Sequence, residues 1–157
     1  MSSPAGVPQL REVRLLGLPL PLYRKAQAHH AELTREFAFV ANPHPDTDQQ
    51  VPARLLALVA DLRSRFGAFT AGPTGALESA LARGDAEIDV TFHVPVAVRD
   101  AAVEFAALLD EADEYCRHGD LLTLETPADA VAFRRWYLGE FVAQIDGEPP
   151  TPWPAYE

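Results

Sequence analysis

Prolines divide this chain into its regular elements. Fourteen are spread over 157 residues, and three positions show the same arrangement, a short apolar run, then proline, then a long helical pattern. Proline lacks the N–H that a sheet ladder needs, and its fixed φ suits the first turn of a helix. Each such proline therefore closes a strand and opens a helix. The first unit has a strand at Glu12–Leu18 with Val13, Leu15 and Leu16 as its apolar residues, stops at Pro19 and Pro21, and continues as a helix from about Pro21 to Val40. In the second, Ile88, Val90, Phe92 and Val94 alternate with acids, Thr91 and His93, which is the period of a half-buried strand. Pro95 ends that strand, and a helix to about Cys116 follows with Val98, Ala102, Phe105, Leu109 and Ala112 on one stripe. The third unit runs from a strand at Leu121–Thr126 through Pro127 into a helix that ends near Ile145.

Between the first two units lies a polar loop over residues 42–52 with Pro43, Pro45 and Pro52. A helix over Pro52–Phe66 is expected next, striped by Leu55, Val59, Leu62 and Phe66. Gly67 is placed as its left-handed cap. Gly72-Pro73-Thr74-Gly75 reads as a turn with Thr74 capping a short helix over Ala76–Arg83, and Gly84-Asp85 as a further turn. The expected fold is α+β, a predominantly helical single domain with a small sheet built from strand–Pro–helix units, the strand pairing left open. Residues 1–10 form a flexible N-terminus, 11–146 the globular domain and 147–157 a proline-rich C-terminal tail that favours polyproline II.

Charge is unevenly spread. Residues 1–84 hold nine Arg/Lys against seven Asp/Glu, and residues 85–157 hold four against sixteen, for a net charge of −10. That sign repels phosphate backbones and anionic lipid, so neither a nucleic acid nor a membrane is an expected partner. No apolar run reaches the ~20 residues of a membrane span. One cysteine, Cys116, rules out an internal disulfide and fits a reducing cytoplasm.

No complete catalytic motif is present. G-x-S-x-G, H-E-x-x-H and G-x-G-x-x-G are all absent. His30 lies in the apolar seam Ala26, His30, Leu33, Phe37, Val40 of the first helix. It reads as a core histidine bonded through one ring nitrogen, and alternatively as a ligand-binding group partnered by a carboxylate from another helix. His29 shares a face with Glu32 and Glu36, but a single His-x-x-Glu is not the paired Glu-x-x-His of di-iron bundles. Glu114, Cys116 and His118 do not make up a zinc set, and Cys116 reads as a small buried hydrophobe. No metal and no cofactor is expected. The last helix carries Phe133-Arg134-Arg135-Trp136-Tyr137-Leu138-Gly139-Glu140-Phe141, with aromatics on more than one face. Arg134, Arg135, Trp136, Tyr137 and the tail's Trp153 are the candidate partner-binding residues, since Arg and Trp are enriched at binding hot spots. Trp153 is expected to fold onto Trp136 and Tyr137, in its own subunit or a neighbour's, and Gly139 to mark the close approach of another backbone.

Val13-Arg14-Leu15-Leu16-Gly17-Leu18-Pro19, Leu33-Thr34-Arg35-Glu36-Phe37 and Gly119-Asp120-Leu121-Leu122-Thr123-Leu124, with the Arg134-Arg135-Trp136-Tyr137 helix and the Pro149-Pro150-Thr151-Pro152-Trp153 tail, resemble small actinobacterial proteins without an assigned activity. These are associated with partner-switching stress regulation, alongside anti-sigma-factor kinases, STAS anti-antagonists and PP2C-type phosphatases. The resemblance implies a cytoplasmic regulatory role. It does not extend to kinase activity. Those kinases hold Mg²⁺ and nucleotide with an acidic residue and an Asn-x-x-x-His on one helix. Here the only asparagine, Asn42, is followed four residues on by Asp46, and no Asp-x-Gly-x-Gly follows. The leading expectation is a non-enzymatic regulatory or protein-interaction protein of the cytoplasm, with a protein partner and homodimerisation compatible with it. The alternative is a small-molecule sensor or enzyme with an inter-helix pocket using His30 and a carboxylate.

Overall fold

The computed structural model describes residues 9–41, 50–119 and 124–154. Asn42, Pro43, Pro45, the first half of the expected third strand and Tyr156 lie outside the described residues, as does most of the N-terminal segment. The elements are β1 (Leu10–Pro19), α1 (Leu20–Ala41), α2 (Gln50–Arg83), β2 (Glu87–Pro95), α3 (Val98–His118) and α4 (Ala128–Ile145). The fold is a predominantly helical α+β domain with a small antiparallel sheet.

β1 and β2 pair with Val13 opposite Phe92 and Leu15 opposite Val90. The inner face holds Val13, Leu15, Leu18, Val90, Phe92 and Val94, all buried. β1 does not keep a strict alternation. From Leu15 to Leu18 it takes three steps against two on β2, a bulge that returns Leu18 to the inner face. Gly17 makes this bulge possible at φ +65°, and its N–H donates to Asp89 Oδ1 at 2.7 Å. Pro19 and Pro21 then turn the chain into α1, whose first amide, Leu20 N–H, donates to the Ala86 carbonyl at 3.0 Å.

α2 corrects the expected break. It runs as one helix of 34 residues through Gly67, Gly72, Pro73 and Gly75, so Gly67 is no cap and the Gly-Pro-Thr-Gly stretch is no turn. Burial on both sides of the stretch, at Phe66, Leu77 and Ala80, holds the helix across it. Pro73 removes the i+4 donor of the Phe69 carbonyl. α2 ends at Gly84, φ +80°, with Gly84 N–H on Leu81 O and Asp85 N–H on Ala80 O, the two bonds of a Schellman cap.

Among the described residues the sheet has two strands, and Leu124–Thr126 is not a third. Its polar groups are taken by side chains instead of a ladder. The Leu124 carbonyl meets His29 Nε2 at 2.7 Å, and the Thr126 N–H and hydroxyl donate to Asp113 Oδ1 at 3.1 and 2.7 Å. Gly139 is likewise corrected. A Cβ there would meet nothing within 4 Å, so no backbone approaches it.

The core forms two clusters. One packs the inner sheet face against Leu20, Tyr23, Leu77, Phe133, Phe141 and Ile145. The other joins Leu33 and Phe37 of α1, Leu55 and Leu58 of α2, and Leu108, Leu109, Ala112 and Cys116 of α3. Of the expected seams, Leu33 and Phe37 of α1 and Ala102, Leu109 and Ala112 of α3 are buried in these clusters.

Candidate ligand-binding cavity

Where the two clusters meet, a cavity of about 390 Å³ remains. α1 supplies Gln27 and His30. α2 supplies Val59, Leu62, Arg63, Phe66, Thr70 and Thr74 on one helical stripe. α3 supplies Ala101, Ala102 and Phe105, β2 supplies Phe92 and Val94, and α4 supplies Tyr137, Leu138 and Phe141. A smaller hollow of about 230 Å³ shares Gln27, His30, Phe105, Tyr137 and Leu138 and extends to Tyr23 and Arg134. The walls are mostly apolar and aromatic with few polar groups, the composition of a small-molecule site.

His30 is half-buried, its ring edge-on to Phe105 with centroids 6.0 Å apart. No side-chain hydrogen bond reaches its imidazole among the described residues. Burial lowers its pKa below 6.5, and the neighbouring charges of His29 and Arg63 lower it further, so the ring is neutral near pH 7 and keeps both a donor and an acceptor nitrogen. Gln27 Nε2 donates to the Tyr23 hydroxyl at 2.9 Å. Burial, then the proximity of Tyr23, raises the Tyr137 phenol above its ordinary value, and the hydroxyl has no hydrogen-bond partner among the described residues. Arg63 is exposed at the cavity wall without an ion-pair partner among the described residues. Among the described residues no carboxylate lines either hollow, and none of them is paired with His30 there.

The five candidate partner residues divide into four groups. Tyr137 faces the cavity. Arg134 is turned inward, its side chain 12% exposed, with Nη2 3.0 Å from Asp113 Oδ2 and 2.6 Å from Asp110 Oδ1, and Nη1 on the Thr126 hydroxyl at 3.2 Å. Arg135 is exposed, 3.8 Å from Asp110. Trp136 and Trp153 meet with ring centroids 5.5 Å apart, and Phe133 lies 5.9 Å from Trp153. The tail is turned back by Gly147, φ +101°, in a second Schellman cap. The Thr151 N–H then donates to the buried Glu140 Oε1 at 2.9 Å, and Trp136 Nε1 donates to the Thr151 carbonyl at 2.9 Å.

Cys116 is wholly buried, and burial pushes its thiol up to about 11. His118 pairs with Glu114 at 3.1 Å on the surface. Among the described residues no group of three His, Cys, Asp or Glu could hold a metal ion, and no helix is long and apolar enough to cross a membrane.

Gln27, Arg63 and Thr70 are not singled out by the sequence, and Thr74 and Phe105 read there only as a helix cap and a core-stripe residue. The signal is the stripe Arg63, Phe66, Thr70, Thr74, which is legible only once α2 is taken as unbroken through Pro73. No protein-family model, curated protein or solved structure matches the chain.

Proposed function

We propose that this chain is a cytoplasmic regulatory protein whose inter-helix cavity binds a small, largely apolar molecule bearing an anionic group. One observation carries the reading: a cavity at the junction of two core clusters presents a neutral His30, and an Arg63 with no ion-pair partner among the described residues, from mostly apolar walls. Aromatic and aliphatic side chains accept the body of such a ligand. Arg63 attracts its charge, and Gln27 and His30 supply hydrogen bonds that orient it. Binding is favoured over turnover because acid–base catalysis by His30 needs a second group to orient or recharge it, and no carboxylate lines the site among the described residues. The regulatory role rests on the resemblance to partner-switching proteins. It is also supported by α4, which carries Tyr137, Leu138 and Phe141 toward the cavity and Trp136 and Glu140 toward the tail. The cytoplasmic setting rests on the single buried thiol of Cys116.

Calorimetric titration with 1-naphthoate, and with the neutral 1-naphthalenemethanol, tests this. Naphthoate is expected to bind at one saturable site more tightly than the alcohol. Arg63→Gln should erase that difference, and Thr74→Phe, which fills the cavity, should weaken both at least tenfold. Absence of binding at millimolar ligand, or undiminished binding to Thr74→Phe, overturns the reading.

A further inference from the structure

The two edges of the sheet are treated differently. At β1, the Arg14 N–H donates to Gln144 Oε1 and the Arg14 carbonyl accepts from Gln144 Nε2, both at 2.8 Å. The Trp153 N–H donates to the Leu16 carbonyl at 3.0 Å. That edge is closed by α4 and the tail. The same bonds fix the outward groups of β2. Arg14 turns its backbone away from β2, so Arg14 and Thr91 form a non-hydrogen-bonded pair, and Thr91 also turns its N–H and carbonyl away from β1. His93, opposite Glu12, does the same, and the two-residue period places Asp89 with them. No hydrogen bond reaches the backbone of Asp89, Thr91 or His93 from that side among the described residues. An open edge of this kind is a template for another strand.

We infer that the β2 edge pairs with β2 of a second copy of this chain, giving a continuous sheet β1–β2–β2–β1 across a two-fold axis. The sequence of β2 is self-complementary about Thr91. In the antiparallel register centred there, Thr91 faces Thr91, Asp89 faces His93, Val90 faces Phe92 and Ile88 faces Val94, each residue of one copy opposite its mate of the other. Asp89, Thr91 and His93 are all exposed on the outer face. The axis therefore places two carboxylate–imidazole pairs and one threonine pair across the seam, the pair types that stabilise antiparallel neighbours. Ile88, half-buried in one copy, gains a Val94 beside it. Three outward residues per strand supply six backbone hydrogen bonds. Pro95, without an N–H, ends the ladder opposite Glu87. The isologous geometry closes at two copies, because β1's far edge is already covered.

Sedimentation of the full chain over a range of concentrations tests this. A reversible monomer–dimer equilibrium is expected. Thr91→Pro removes a donor that β1 does not use and should abolish the dimer. His93→Asp puts like charges opposite each other and should raise the dissociation constant at least tenfold, whereas His93→Lys should preserve or tighten pairing. Cys116 is buried, so Thr91→Cys can be joined selectively by a short bis-maleimide. Efficient covalent dimer formation is expected there and not for Ala82→Cys. A protein that stays monomeric at high concentration without cross-linking at position 91, or a dimer indifferent to both Thr91→Pro and His93→Asp, overturns the inference.

Discussion

At His30 the protein holds an imidazole in its neutral form, with a pKa below 6.5 because of burial first and then of His29 and Arg63. In the unfolded chain the ring titrates at about 6.5. Between the folded and unfolded values the unfolded state binds more protons, so stability rises with pH through that window. The contribution is present in full above the unfolded value and is lost as pH falls below it. His30→Gln, which cannot titrate, should therefore lose less melting temperature between pH 7.5 and 5.5 than the wild type. Parallel melting profiles for the two proteins would refute the assignment. The seam spacing Ala26, His30, Leu33, Phe37 was enough to place His30 on the apolar face of its helix, and Leu33 and Phe37 are fully buried. That spacing does not distinguish a packed position from a cavity wall. The difference arises because Phe105 and Tyr137, from two other helices, stop short of filling the space beside the ring. Cys116, read as a small hydrophobe, is one.

α2 shows tertiary packing overriding local preference. Three glycines and a proline between residues 67 and 75 disfavour helix by roughly 6 kcal/mol relative to alanine, which is why that stretch reads as a cap and a turn. Burial of Phe66, Leu77 and Ala80 on either side offsets this, at about 1.5–3 kcal/mol for a large apolar side chain. A direct consequence follows for Gly72 and Gly75. Neither has a positive φ, and a Cβ at either would meet nothing within 4 Å. Gly72→Ala and Gly75→Ala should each stabilise the protein by about 1 kcal/mol and raise Tm by about 2–4 °C. Gly139→Ala in α4, equally unobstructed, should do the same. A fall in Tm for the α2 pair would mean that the helix breaks there. The strands were easier to read, because alternation in Glu87–Val94 and the flanking prolines act locally. The bulge at Gly17 was not legible, since it depends on the register against β2. Leu124–Thr126 reads as the end of a strand and is none, because Leu124 serves the second core cluster and the polar groups are met by Asp113 and His29.

Across the whole molecule, the charge division visible in the sequence is partly neutralised within the chain. Lys25 meets Asp129 at 2.8 Å and Arg54 meets Glu111 at 3.0 Å, joining the basic half to the acidic one. Both pairs are half-exposed and contribute at most about 1 kcal/mol each. The tail joins the molecule more firmly. Gly147–Pro154 folds over α4, where Trp153 packs against Phe133 and Trp136, Thr151 bonds Glu140 and Trp136, and the Trp153 amide closes β1. Surplus aromatics on α4 announced that something must cover them, and the stiffness of the proline run lowers the entropy lost when the tail does so. Which subunit supplies the cover depends on the turn at Gly147, which aims the tail back along its own helix. Deleting residues 148–157 removes the partial burial of Trp153, about 1–2 kcal/mol, and leaves the buried Glu140 with only Gln144 as a partner among the described residues. Tm should fall by about 5–10 °C. Trp153→Ala alone should account for most of that fall, because the packing of its indole on Phe133 and Trp136 is the largest apolar contact the tail makes. The β1 edge reopens at Leu16 in the truncated protein. Its tendency to form species larger than a dimer should therefore rise, measurable by sedimentation as a concentration-dependent increase in mass. An unchanged Tm on truncation would show that the aromatic face of α4 does not need the tail.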